Sequence, residues 1–118
     1  MLIYFEMISE NMNINFKVFG KKEGNVLIFP DKSTPNTMIN VTICDNEIII
    51  ERTGNVNMKQ VFKLKEKMEG YYKNNLGLEF KTASFTKELY VRENSINVLY
   101  EHYFENEWQS SNKLKIIF

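Results

Sequence analysis

Cysteine is almost missing from this chain. Cys44 stands alone, so no internal disulfide forms and no thiolate cluster holds a metal. An excess of one charge is missing too, because 15 basic and 15 acidic residues cancel. The balance gives no reason to expect nucleic acid, an anionic membrane surface or a strongly acidic substrate as partner. Long apolar runs are absent. The start, MLIYFEMISE, is interrupted by Glu6 and has no basic region ahead of it, so it reads as neither a secretory signal nor a membrane span. The expected compartment is therefore the reducing cytoplasm, where the triplet Asn40-Val41-Thr42 carries no glycosylation meaning. No linker, repeat, charge block or low-complexity segment divides the chain.

What is present is an ordinary globular composition. The 118 residues are 43% apolar and 25% charged, enough to bury one core, and residues 1–118 read as a single domain. Apolar residues recur at a period of two. In NINFKVFG, Ile14, Phe16 and Val18 alternate with Asn15 and Lys17. GNVLIFP stops at Pro30, and DKSTPN is a loop of turn-forming residues. TMINVTI and EIIIERT flank a hairpin signal at Asp45-Asn46. VNMKQVFKL, KMEGYYK, LEFKT, KELYVR, SINVLYEHYF and KLKIIF continue the series, with no convincing helix.

About nine to eleven such segments, with turns roughly every 8–12 residues, set the rhythm of an antiparallel sandwich or barrel. The links are short, so successive runs pair as hairpins. An open meander would leave Phe16, Val18, Leu114 and Ile116 on bare edges, whereas closure removes the edges. The expected fold is all-β: a single closed antiparallel up-and-down barrel of about eight to ten strands.

One of only two arginines occupies the end of the all-isoleucine run. Ile48, Ile50 and Arg52 share a parity, so an inward Ile48 implies an inward Arg52 where its strand meets a turn. Gly54 would supply the unusual backbone angle of that turn. An inward arginine is expected to be paired, its planar fork capping a carboxylate or several carbonyls as a structural tie. The alternative role is a ligand anchor for an anionic group.

RTGNVNMKQVF, EGYYKNNLGLEF, INVLYEHYF and KLKIIF, in that order and spacing, resemble the YwiB-like family of small bacterial proteins, a domain of unknown function. The positions that carry the resemblance are Arg52, Gly54, Met58, Phe62, Tyr72, Gly77 and Tyr100. FKVFGKKEGNVLIF is similar to the family's early hairpin, and the likeness runs from about Asn13 to the end. It implies a calycin-like, lipocalin-like barrel, and neither an activity nor catalytic residues. The chain departs from the pattern at His102, where an aliphatic residue is expected, and in its first ten residues, which fit poorly.

His102, the only histidine, is in phase with Ile96, Val98, Tyr100 and Phe104. An inward neutral imidazole would be satisfied by Tyr100 or by a backbone group. A hydrolytic triad would need a nucleophile and an orienting acid beside it, and Cys44, of outward parity, is no candidate. One histidine and one cysteine make no metal site, and no cofactor is implied. The six tyrosines and nine phenylalanines fill the core or line a pocket; Phe16, Met58, Phe62, Tyr72, Phe80 and Tyr100 are the large inward residues. Two functions follow. In the first, the barrel holds a small apolar or amphipathic ligand, with Arg52, Met58, Tyr72, Tyr100 and His102 as its contacts. In the second, a packed barrel acts through its outer wall, at residues such as Tyr71, Tyr90 and Tyr103, as a protein-interaction or homodimerisation module. Nothing in the spacing supports an enzyme.

Overall fold

Alternation at period two carries nearly the whole chain into strands, and the computed structural model describes all 118 residues without a helix. The strands are β1 (Leu2–Ser9), β2 (Met12–Phe19), β3 (Lys21–Glu23), β4 (Val26–Pro30), β5 (Thr37–Ile43), β6 (Glu47–Gly54), β7 (Asn57–Lys63), β8 (Lys67–Lys73), β9 (Glu79–Arg92), β10 (Ser95–Phe104) and β11 (Glu107–Ile117). All lie in one antiparallel sheet, ordered β2-β1-β11-β10-β9-β8-β7-β6-β5-β4-β3. Sequence neighbours pair throughout except β2 and β3, which form the two edges, and β1 also joins β11 through Tyr4–Ile117 to Ile8–Lys113. The sheet curls into the expected single up-and-down barrel. No helix is long and apolar enough to cross a membrane.

The two edge strands are successive parts of one bent strand. β2 pairs with β1, then the chain turns at Gly20 and β3 pairs with β4 through Lys21–Ile28 to Glu23–Val26. The strand thus bridges the two ends of the sheet. A Cβ at Gly20 would lie 2.6 Å from the Ile28 carbonyl oxygen, 2.7 Å from Ile3 Cδ1 and 2.8 Å from Phe29 Cβ. Only glycine lets the strand turn this corner with β1 and β4 packed against it. Above the corner no ladder joins β2 to β4, and the barrel is nearly rather than fully closed. Aromatic rings seal this seam: Phe16 stacks on Phe5 at 5.1 Å and lies 6.5 Å from Phe29.

The interior is divided. One end and the middle hold the apolar core, where Ile3, Phe5, Leu27, Phe29, Ile39, Ile48, Phe62, Ile96, Leu114 and Ile116 are all but fully buried. Each such side chain contributes about 1.5–3 kcal/mol of burial free energy. The other end, the mouth formed by the β1–β2, β6–β7, β8–β9 and β10–β11 turns, is lined by polar groups.

Three details differ from the strand readings above. KELYVR is the second half of the long β9, not a separate strand. A register shift opposite Leu99/Tyr100 changes its phase, so Thr86 and Leu89 share the inner wall. The first ten residues, a poor fit to the family pattern, form β1, with Ile3 and Phe5 in the core and Tyr4 and Glu6 bonded to each other (2.6 Å) outside.

Candidate functional site

Register brings the mouth residues together. Ile39 lies opposite Arg52, Arg52 opposite Met58, Met58 opposite Tyr72, and Tyr72 opposite Phe80. On the facing wall His102 stands between Ser84 and Ser110. Two recesses of about 250 Å³ open between these walls. Arg52, Met58, Gln60, Tyr100 and His102 help line the first, and Met58, Gln60, Tyr72, His102 and Phe104 the second. Met58, Gln60 and His102 belong to both. All five side chains singled out from the sequence therefore meet here: Arg52, Met58, Tyr72, Tyr100 and His102.

Arg52 points inward with Ile48 and Ile50, and its Nε is 3.4 Å from Asp31 Oδ2, the guanidinium's one ion pair. Asp31 opens the β4–β5 loop, directly after β4, with its side chain fully buried. Its other oxygen, Oδ1, accepts from the Ser33 amide (2.8 Å) and the Ser33 hydroxyl, an Asx turn that holds the β4–β5 loop. The tie expected of an inward arginine is thus present. Gly54, two residues on, has φ +135°, and a Cβ there would lie 2.0 Å from the Asn36 carbonyl oxygen. The β4–β5 loop can therefore lie against β6 and bring Asp31 to Arg52 only because residue 54 has no side chain.

Beside this pair runs a chain of hydrogen bonds. Ser110 Oγ donates to Asn112 Oδ1 (2.6 Å), Asn112 Nδ2 to the Tyr100 hydroxyl (3.2 Å), and Tyr100 to Met7 Sδ (3.6 Å). Burial pushes the Tyr100 phenol above its ordinary range, against the opposing effects of the Asn112 and Gln60 amides and the Arg52 charge. The His102 imidazole is pushed down by burial, so it stays neutral near pH 7. Its expected bond to Tyr100 is not made, because that hydroxyl is occupied by Met7 and Asn112. His102 Nδ1, Gln60 Oε1 and Arg52 Nε are buried without a hydrogen-bond partner.

Five contributors escaped the sequence reading. Gln60 and Asn112 share the parity of Met58 and Leu114, a signal that was available. Met7 and Met12 come from a β1–β2 hairpin whose first strand had not been placed. Asp31 reaches the site from a loop, which no periodicity reveals. Cys44 is half-buried at the β5–β6 turn, far along the barrel from His102. No three His, Cys, Asp or Glu side chains gather to hold a metal. Larger grooves, of about 460 and 320 Å³, lie at the opposite rim and on the outer wall, and no unpartnered buried polar atom belongs to either lining.

A family model described as a domain of unknown function (DUF1934) matches residues 6–116. The match reaches into β1, further toward the start than the pattern read from the sequence. The crystal structure of the ywiB protein from Bacillus subtilis aligns with a TM-score of 0.74, covering 98% of this chain and 87% of that one at 16% identity. At that identity the likeness shows a shared fold. No curated protein matches the chain.

Proposed function

The chain belongs to the DUF1934 family of domains of unknown function, a membership that names no activity, and we propose from the mouth itself that the barrel holds one small amphipathic molecule. One observation carries this reading. Two joined recesses are walled by thioethers and aromatic rings, and Gln60 and His102, which line both, each keep a buried polar atom that the protein leaves unpaired. Buried polar groups without partners are rare in folded proteins, and a few of them converging in an apolar concavity is the usual form of a ligand site. The balanced charge supports a small molecule over nucleic acid or an anionic membrane. The lone cysteine supports the cytoplasm as the place of action.

Water alone would satisfy the same atoms, and native mass spectrometry of protein purified from its source separates the two. A discrete added mass that is lost on mild activation is the expected result. Only the mass of the chain, with no melting-temperature gain across a panel of amphiphiles, would sink the proposal.

A second reading, a homodimerisation or protein-interaction surface, is favoured by the free edge of β2. Beside it Leu2 and Phe19, paired in register, are 53% and 78% exposed. Light scattering over a concentration series tests it. A monomer at every concentration would remove the homodimer.

A further inference from the structure

The two recesses share Met58, Gln60 and His102, so they are the two lobes of one site, and each lobe has its own chemistry. We infer that the site selects an elongated amphiphile: an acid group at one end, an N–H or O–H donor in its middle, and an aromatic body at the other end. This inference rests on the mouth being a binding site, and it adds the class of molecule bound there.

The acid end follows from how Arg52 is held. Nε approaches Asp31 Oδ2 at 3.4 Å without a hydrogen bond, and the second Asp31 oxygen is occupied by Ser33. The guanidinium has no second carboxylate partner, and the residue lines the first lobe. A planar cation with spare donors beside thioether walls takes a carboxylate or sulfonate in two-point contact. Met7, Met12 and Met58 form that wall. Their unbranched, polarisable side chains adapt to the body of a guest.

The central donor follows from Gln60. This residue is 5% exposed and lines both lobes, and its Oε1 receives no hydrogen bond. Its amide lies close enough to Tyr100 to lower the proton affinity of the phenol. A buried acceptor strongly rejects a guest that offers it no proton. The aromatic end follows from the second lobe. Tyr72 and Phe104 line it, and Phe80 lies behind them with ring centroids 6.5 and 5.1 Å away. Such rings accept another ring edge-on or offset.

The test uses two probes and a reporter already in the chain. 1-Anilinonaphthalene-8-sulfonate carries a sulfonate, an N–H and two aromatic groups. N-phenyl-1-naphthylamine is the same body and N–H without the acid. His102, the only histidine, gives one set of imidazole proton signals between the lobes. The sulfonate should shift those signals saturably and bind at least about tenfold tighter than the neutral amine. In the double variant Arg52→Met/Asp31→Asn, which removes both charges at near-constant volume, the tenfold advantage, read as the ratio of the two affinities within that variant, should vanish. Gln60→Leu should abolish discrimination between the anilino probe and its phenoxy ether analogue. Equal binding of sulfonate and amine to the unaltered protein overturns the acid end and leaves the mouth a binding site. Full discrimination retained in Gln60→Leu overturns the donor assignment. If neither probe moves the His102 signals, even with a rise in probe fluorescence, both the inference and the binding site beneath it fail.

Discussion

His102 shows how one side chain reports on the interior. Burial lowers its proton affinity in the folded state, whereas the unfolded chain keeps the ordinary value of 6.5. Between these two values the unfolded chain binds more protons, so folding stability falls as the pH drops below 6.5 and levels off under the folded value. We expect the urea midpoint to fall between about pH 7.5 and pH 5.5 more steeply in the unaltered protein than in His102→Gln, which cannot titrate. Parallel pH profiles would show that the imidazole is hydrated in the folded state. At this scale parity was a good guide. It turned Arg52, Met58, Tyr72, Tyr100 and His102 toward the interior, because the side-chain period of a strand is two whatever its neighbours are. It could not find partners, since the Asp31 beside Arg52 comes from a loop and the Asn112 paired with Tyr100 depends on which strands meet.

Strands obey parity only between irregularities. Thr82, Ser84 and Thr86 face inward along β9, but the register shift against β10 hands the inner wall to Leu89. A second shift, at His102/Tyr103 against β11, lies beside the candidate site. Neither carries a glycine or proline to announce it, so alternation read straight through Phe85 and Lys87 had to split one long strand into two. Gly54 was readable for the opposite reason, because an apolar run followed by a glycine marks a turn. What the sequence did not disclose is its second duty, the close approach of the Asn36 carbonyl. Gly54→Ala adds a Cβ both at a backbone angle that side chains avoid and against backbone that cannot step aside. It should cost about 3 kcal/mol in chemical denaturation. It should also loosen Asp31 from Arg52, seen as faster hydrogen exchange in residues 31–37. A loss below about 0.5 kcal/mol would mean that the β4–β5 loop does not lean on β6.

Closure belongs to the whole molecule, and it is where the sequence said least. Short links and an even rhythm of strands argued for a barrel because a meander would strand apolar edges, and the molecule is one. The way it closes was not readable, because KKEGN looks like an ordinary turn between β2 and β4, and β3 lies inside it. In fact the chain bends at Gly20 and pairs first with β1 and then with β4, so one strand joins both ends of the sheet. Everything above that corner relies on rings, not on a ladder. Two consequences can be measured together by amide hydrogen exchange. The amides of β2 that point away from β1 should exchange far faster than those of β10, which is paired on both sides. Gly20→Ala, which sets a Cβ 2.6 Å from the Ile28 carbonyl oxygen, should cost about 2 kcal/mol by overpacking. It should speed exchange in β1–β4 while leaving β8–β10 protected, because only the corner has been forced apart. Full protection of every β2 amide would mean that the seam is occupied by another strand, which in pure protein comes from a second copy of the chain pairing edge to edge. The free edge of β2 then decides whether it is an interface: fast exchange leaves a monomeric barrel whose seam is held by rings alone, and slow exchange makes that edge an interface.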